Sequence, residues 1–191
     1  MRARAAGAPV KIFVSMALGL GQSLVVQSNI TKTDELRSVT WAVDGINAMS
    51  HHFALLILRA LGIERDAVNF VPVGSPPARI EALIKREVDC SLIRLEEAVN
   101  VTRDHEQLRT LLDFDDLLKL VPLQPHGVLA TREDFLQSNR EALIAITEGL
   151  IAASRRLHHQ REQFVAAMNK CAHTPVEPAV LDRLWEGLHN H

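Results

Sequence analysis

Residues 67–93 read AVNFVPVGSPPARIEALIKREVDCSLI, and this stretch decides the fold. An apolar strand pattern over Asn69–Val73 runs into a small-residue turn. A helix follows, with Ile80, Leu83 and Ile84 at helical spacing, and then a second apolar strand over Val88–Ile93. Pro76 and Pro77 suit the first turn of that helix, where a missing N–H costs nothing. Residues 39–63, VTWAVDGINAMSHHFALLILRALGI, follow the same plan. A strand over Val39–Val43 meets a turn at Asp44–Ser50, then a helix carrying Phe53, Leu56, Ile57, Ala60 and Leu61, with Gly62 as its stop. Ser50 is the expected N-cap. Two strand–turn–helix units in succession bring two helix N-termini to one edge of a parallel sheet, where open α/β sheets receive small ligands.

Working outward, Val10–Leu18 reads as a buried strand, broken at Gly19-Leu20-Gly21. Ser23–Gln27 is a second short strand and Thr33–Leu36 one capped helical turn. Glu96–Val101 is a short helix. Leu108–Leu120 is ambiguous: LLDF reads as a strand edge and DDLLKL as a helical turn. Gly127–Thr131 is a strand, and everything beyond it is helical. The helices expected there are Arg132–Gln137, Asn139–Leu157 (Leu143, Ile146, Leu150 and Ala153 on one face), Gln160–Cys171 and Glu177–His189, the last two split at Thr174-Pro175. An α/β unit followed by a helical tail is the fold class implied.

Composition narrows the function. With 191 residues, 47% apolar and 23% charged, the chain can bury a sizeable core. A net charge of −2 gives no surface for nucleic acid or anionic membrane. Tyrosine is absent and aromatics are 4%, which argues against base-stacking platforms and ring-lined sugar sites. The longest apolar runs are too short to span a bilayer. The opening MRARAAGAPVKIF has early positive charge but lacks the apolar stretch of a secretion signal. Cys90 and Cys171 have no CxxC or ligand spacing and read as small packing residues.

No catalytic motif is present. His51-His52 reads as one packing and one exposed histidine. No HxxxH or HExxH pattern occurs, so neither metal nor cofactor is assigned. Glu96-Glu97 and Asp113/Asp115/Asp116 read as charged surface. Gly19-Leu20-Gly21 lacks the third glycine of a dinucleotide fingerprint. The amides at the Asp44-Gly45 and Gly74-Ser75 junctions, with the Ser50 and Ser75 hydroxyls, suit a carboxylate, sulfonate or phosphate; they equally suit ordinary capped turns.

The ordered set SNITKTDELRSVTWAVDG, LRALGI, NFVPVGSPPARIEALIKREVDCSLI and GVLATREDFLQSNREALIAITEGLIAA resembles the substrate-binding proteins of ABC importers. The nearest group is the sulfonate, taurine, nitrate and thiamine-precursor binders. The resemblance covers roughly residues 10–190 and implies a type II periplasmic-binding-protein-like α/β fold, with two lobes clamping a ligand. Residues 1–22 would be a remnant first-lobe strand and connection, 23–131 the second lobe with hinge strands, and 132–191 a helical segment packing back toward the first lobe. A signal peptide and most of a first lobe, which the family carries, have no counterpart here. Family contacts carry over to Asn47, Met49 and Ser50 after the DG turn and to Gly74, Ser75 and Pro76 before the PPAR helix. Ile93 and Arg94 at the end of the VDC strand, and Gly21 and Gln22 on the connection, complete the set. Ala48 and Met49 make the ligand loop more apolar than is usual in the family.

The implied function is non-enzymatic binding of a small organic solute for import, by clamp closure. The partners implied are the solute, an ABC permease and no nucleic acid. A homodimer is expected through Val10–Leu18 and the C-terminal helices, whose apolar faces (Ile12, Val14, Leu143, Ile146, Leu150) would otherwise lack a cover. The location implied is periplasmic, or cytoplasmic if Met1 is the true start. The alternatives are a thiamine-pyrimidine-synthase-like enzyme using Cys90, His51 and His52, and a ligand-sensing regulatory domain.

Overall fold

The computed structural model describes residues 4, 6–18, 21–122, 125–171 and 176–189. The expected breaks at Gly19-Leu20 and Thr174-Pro175 lie outside the described residues. In chain order the elements are β1 (Val10–Leu18), β2 (Gln22–Gln27), a 3-10 turn (Thr33–Leu36), β3 (Thr40–Val43), α1 (Met49–Ala60), β4 (Asn69–Pro72), α2 (Pro76–Ile84), β5 (Cys90–Arg94), α3 (Leu95–Asp104), β6 (Leu108–Leu112) and α4 (Phe114–Leu120). They continue with β7 (Pro125–Arg132), α5 (Glu133–Ser138), α6 (Arg140–His159), α7 (Arg161–Cys171) and α8 (Pro178–His189). The chain divides into two compact units: residues 17–127, and residues 1–16 with 128–191.

The first of these is a five-stranded sheet, order β4-β3-β5-β2-β6. β3 runs parallel to β4 and β5, whereas β2 inserts antiparallel between β5 and β6. Side chains alternate across the sheet, so each strand serves two cores. On one face Leu24, Val26, Trp41 and Leu92 pack with Phe53, Ala54, Ile57 and Leu58 of α1 and Leu117 of α4. On the other, Val25, Ala42 and Ile93 pack with Ala82 and Leu83 of α2 and Ala98 and Val101 of α3. Gln27 sits at the far end of β2, where its Nε2 donates to the Leu83 and Val88 carbonyls at 2.8 and 3.0 Å. Ser91 Oγ donates to the Ala42 carbonyl at 3.0 Å, which satisfies a hydroxyl inside the sheet.

Helix ends explain why the sequence pattern was so readable. Leu61 is the C-cap of α1 and Gly62 follows at φ +67°. The Gly62 amide donates to Arg59 O (3.2 Å) and the Ile63 amide to Leu58 O (2.9 Å), a complete Schellman motif. α2 ends the same way, with Arg86 rather than glycine at φ +58°. Its amide donates to Leu83 O (3.1 Å) and that of Glu87 to Ala82 O (2.9 Å).

The other unit pairs β1 with β7 in a two-stranded sheet and packs α6, α7 and α8 together. Its buried side chains are Leu143, Phe164, Val180 and Leu181, with Phe164 and Trp185 ring centroids 5.4 Å apart. Three expectations fail here. β1, read as a buried strand, has no buried side chain among those described, with Ile12 46% and Met16 52% exposed, because its two-stranded sheet is not covered on both faces. The inner face of α6 is Leu143, Thr147, Leu150 and Leu157, not the Leu143–Ile146–Leu150–Ala153 stripe; Ile146 is 49% exposed and Ala153 is exposed. Positions 146 and 147 both lie within helical reach of Leu143 and Leu150, and the packing of this helix turns Thr147 rather than Ile146 inward. Cys171 is exposed at the end of α7, so the packing reading holds for Cys90 alone.

Candidate functional site

The sheet register builds one edge from residues far apart in sequence. β3 and β4 end side by side, with Val43 opposite Pro72, and the last residue of β5, Arg94, lies opposite the first of β2, Gln22. The segments leaving this edge are Asp44–Ser50, Val73–Pro76 and Arg94–Glu97, each feeding a helix (α1, α2, α3). All ten candidate residues therefore belong to this edge of residues 17–127, in different roles.

Ser50 is not the N-cap of α1. The cap is Ala48, and Met49 (52% exposed) opens the helix. Ser50 is buried one position further in and is fully engaged by the chain's own Asp44. Its hydroxyl donates to Asp44 Oδ1 and accepts from the Asp44 amide at 2.8 Å. The same carboxylate oxygen accepts from the Gly45 and Ser50 amides at 3.1 and 3.3 Å. An internal carboxylate thus holds the anion position at this helix start. Asn47 stands at φ +65° and its amide donates to His51 Nδ1 at 2.9 Å. His51 is the packing histidine, edge-on to Phe70 at 4.6 Å, and His52 is the exposed one. Burial is the main cause that holds the His51 imidazole below its ordinary value, with repulsion from His52 and Arg65 adding to it and Asp44 opposing.

Gly74 takes φ +99°, a backbone reserved for glycine, and its amide donates to Val43 O at 3.3 Å. Ser75 is the N-cap of α2 without a side-chain cap bond, and Pro76 and Pro77 fill N1 and N2. Arg79, 4% exposed, is a brace: Nη1 donates to Gly74 O (2.9 Å) and Nη2 to Leu92 O (3.4 Å). Burial lowers its pKa, which Asp44 and Glu97 oppose.

Ile93 is fully buried in the α2–α3 core, so its side chain does not face solvent; Arg94 caps α3 and is exposed. Gly21 is exposed at φ +58° and Gln22 is 8% exposed. Three residues left out of the candidate set also stand at this edge. Ser23 is 1% exposed, Asp44 organises the first turn, and Glu97 is half-buried rather than surface. Burial pushes the Glu97 carboxyl up, Glu96 adds to it, and Arg94 and Arg79 oppose. The Asp113/Asp116 pair is structural: Asp113 Oδ1 accepts from the Asp116 amide (2.9 Å) and Asp116 Oδ2 from the Asp113 amide (3.3 Å), a capping box for α4. Among the described residues no group of three or more His, Cys, Asp and Glu is placed to hold a metal.

No protein-family model matches the chain, and no curated protein matches it in sequence. Solved structures do match in fold. The periplasmic aliphatic sulphonate binding protein SsuA of Escherichia coli aligns with TM-score 0.74 at 20% identity, over 96% of this chain and 57% of its own. A ligand-binding component of an ABC-type import system from Staphylococcus aureus, with zinc bound, gives 0.74 at 15% identity, over 97% and 62%. The alkanesulfonate-binding protein SsuA of Xanthomonas axonopodis pv. citri, bound to MOPS, gives 0.73 at 19% identity, over 96% and 61%. The chain spans about three-fifths of the length of these proteins. A mostly parallel sheet flanked by helices, aligned along nearly its whole length with these proteins, gives this chain the fold of the periplasmic solute-binding proteins.

Proposed function

We propose that the chain binds a small organic solute for import, holding it at the sheet edge of residues 17–127. The single observation that carries this reading is the convergence there of the turns after β3 and β4, the start of α3 and the head of β2, in a chain with the solute-binding-protein fold. The ligand set we assign is Asn47, Met49, Gly74, Ser75, Pro76, Arg94, Gly21 and Gln22, with Ile93 contributing main chain and Ser50 holding the Asp44 turn in place. Capture is by closure of a second lobe over the solute, and an ABC permease is the membrane partner, at the periplasmic face. The synthase-like alternative has less support: Cys90 is fully buried and its thiol pushed well up by that burial, the opposite of a reactive thiolate.

The test is a thermal-shift and calorimetric screen of small organic solutes. Ser75→Trp serves as the blocking variant, because Ser75 is exposed and makes no side-chain cap bond. The expected result is a solute that raises the melting temperature of the parent but not of Ser75→Trp, with the two apo proteins melting alike. Equal stabilisation of both would move the site elsewhere. We also propose that a second copy covers the open two-stranded sheet and the exposed Ile12, Met16, Ile144 and Ile151. Light scattering at micromolar concentration then gives twice the 21.2 kDa chain mass; a monomer refutes it.

A further inference from the structure

We propose that the solute group received at this edge is a hydrogen-bond donor, an ammonium or amidinium, and not a sulfonate, carboxylate or phosphate. The inference rests on the solute-binding reading above and narrows it.

An anion at the ends of parallel strands needs free N–H groups in the first helical turns. Each of the three helix starts here weakens that offer in its own way. At α1 the Asp44 carboxylate already accepts from the Gly45 and Ser50 amides and the Ser50 hydroxyl. At α2 Pro76 and Pro77 have no N–H to offer. At α3 the first turn carries Glu96 and Glu97, which repel an anion. The cations near the edge do not reverse this. Arg79 is buried with its two terminal nitrogens on backbone carbonyls and its Nε enclosed without a partner, and Arg94 is exposed and already interacts with Glu97.

A second, independent observation points the other way. Gln22 is 8% exposed at the head of β2, and its enclosed Oε1 has no hydrogen-bond partner among the described residues. Ser23 is 1% exposed and its Oγ is likewise unpartnered. Glu97 Oε2 and Asn100 Oδ1, one turn apart on α3, are enclosed and unpartnered too. Ser23 shares the sheet face of Val25, against which Ala98 and Val101 of α3 pack, so its hydroxyl and Glu97 belong to the same side of the edge, whereas Gln22 shares the face of Leu24 and stands on the other side. Enclosed oxygens without donors are costly, and an incoming N–H-rich cation supplies what they lack.

The experiment uses the whole chain and two pairs of probes matched in shape: 3-phenylpropylammonium against 3-phenylpropanesulfonate, and benzamidinium against benzenesulfonate. Each is titrated by calorimetry and thermal shift in parallel with the solute screen. The expected result is binding of the cations at least tenfold tighter than their sulfonate partners. Glu97→Gln, isosteric and uncharged, should lower cation affinity about tenfold while the apo melting temperature stays or rises. Ser23→Ala is the second variant and should weaken the cations in the same direction. Tighter binding of the sulfonates overturns this inference and leaves the solute-binding reading standing. Cation binding indifferent to both variants also overturns it. Failure of every solute and every probe to bind overturns the solute-binding reading, and this inference with it.

Discussion

The two units of this chain treat apolar surface in opposite ways. In residues 17–127, Leu24, Val25, Val26, Trp41, Ile57, Leu83, Leu92 and Ile93 are sealed between a sheet and helices on both faces. In the other unit Ile12, Met16, Val128, Phe135, Ile144, Ile146 and Ile151 remain between 39% and 52% exposed. A groove of about 270 Å³ there is lined by Phe13, Leu136, Arg140, Leu143, Ile144 and Thr147. The five-stranded sheet has two covered faces; the two-stranded one has too few strands to bury its own helices. Stability should therefore reside in the α/β unit, and the remaining surface should answer mainly to whatever covers it.

The largest effect that tests this contrast is at Trp41, fully buried and 6.1 Å from the Phe70 ring. Trp41→Ala should cost about 3–5 kcal/mol in urea unfolding, whereas Ile151→Ser should stay within about 0.5 kcal/mol at concentrations too low for association. Comparable losses would erase the distinction. Arg79→Met comes next. It strips the hydrogen bonds from the Gly74 and Leu92 carbonyls and should cost about 2 kcal/mol. Lost solute binding with an unchanged melting temperature would instead make Arg79 a ligand residue. A smaller gain is expected from Arg86→Gly, which relieves a left-handed backbone at the end of α2 and should add about 0.5–1 kcal/mol.

The smallest effect is a pH dependence at His51. Its folded pKa lies below its ordinary value of about 6.5, so the unfolded chain binds the proton more readily. The stability it contributes is complete above that value and is lost as pH falls toward the folded pKa. Melting temperatures of the parent should drop across that window relative to His51→Gln; parallel curves would dismiss the effect.

What sequence could supply follows from locality. The βα junctions were legible because Gly62, Pro76 and Pro77 act within a few residues of themselves, and the recurring apolar positions of α1 and α2 mark one face each. The capping of α1 was misread: Asp44 and Ser50 are six apart, and although Asn47 is a residue that accepts a left-handed backbone, nothing local says that its turn brings those two together. The enclosure of Gln22, Ser23 and Glu97 was invisible for a different reason. It exists because β2 slots between two strands more than sixty positions away, and no window along the chain contains that pairing. α6 failed on a finer point: positions 146 and 147 both fit a face shared with Leu143 and Leu150, and only the packing decides between them.

That insertion of β2 also sets an order of events. β3, α1, β4, α2 and β5 follow one another and pair with near neighbours, so they can collapse early as a local parallel layer. β2 reaches its slot only when β5 exists, Val25 meeting Ser91 on one side and Thr110 on the other, across long loops whose closure entropy falls due late. The strand that heads the proposed solute edge would then be the last to lock and the first to release. Stopped-flow measurements on Val25→Ala should find faster unfolding with refolding hardly changed; a slowed refolding limb would place β2 in the nucleus instead.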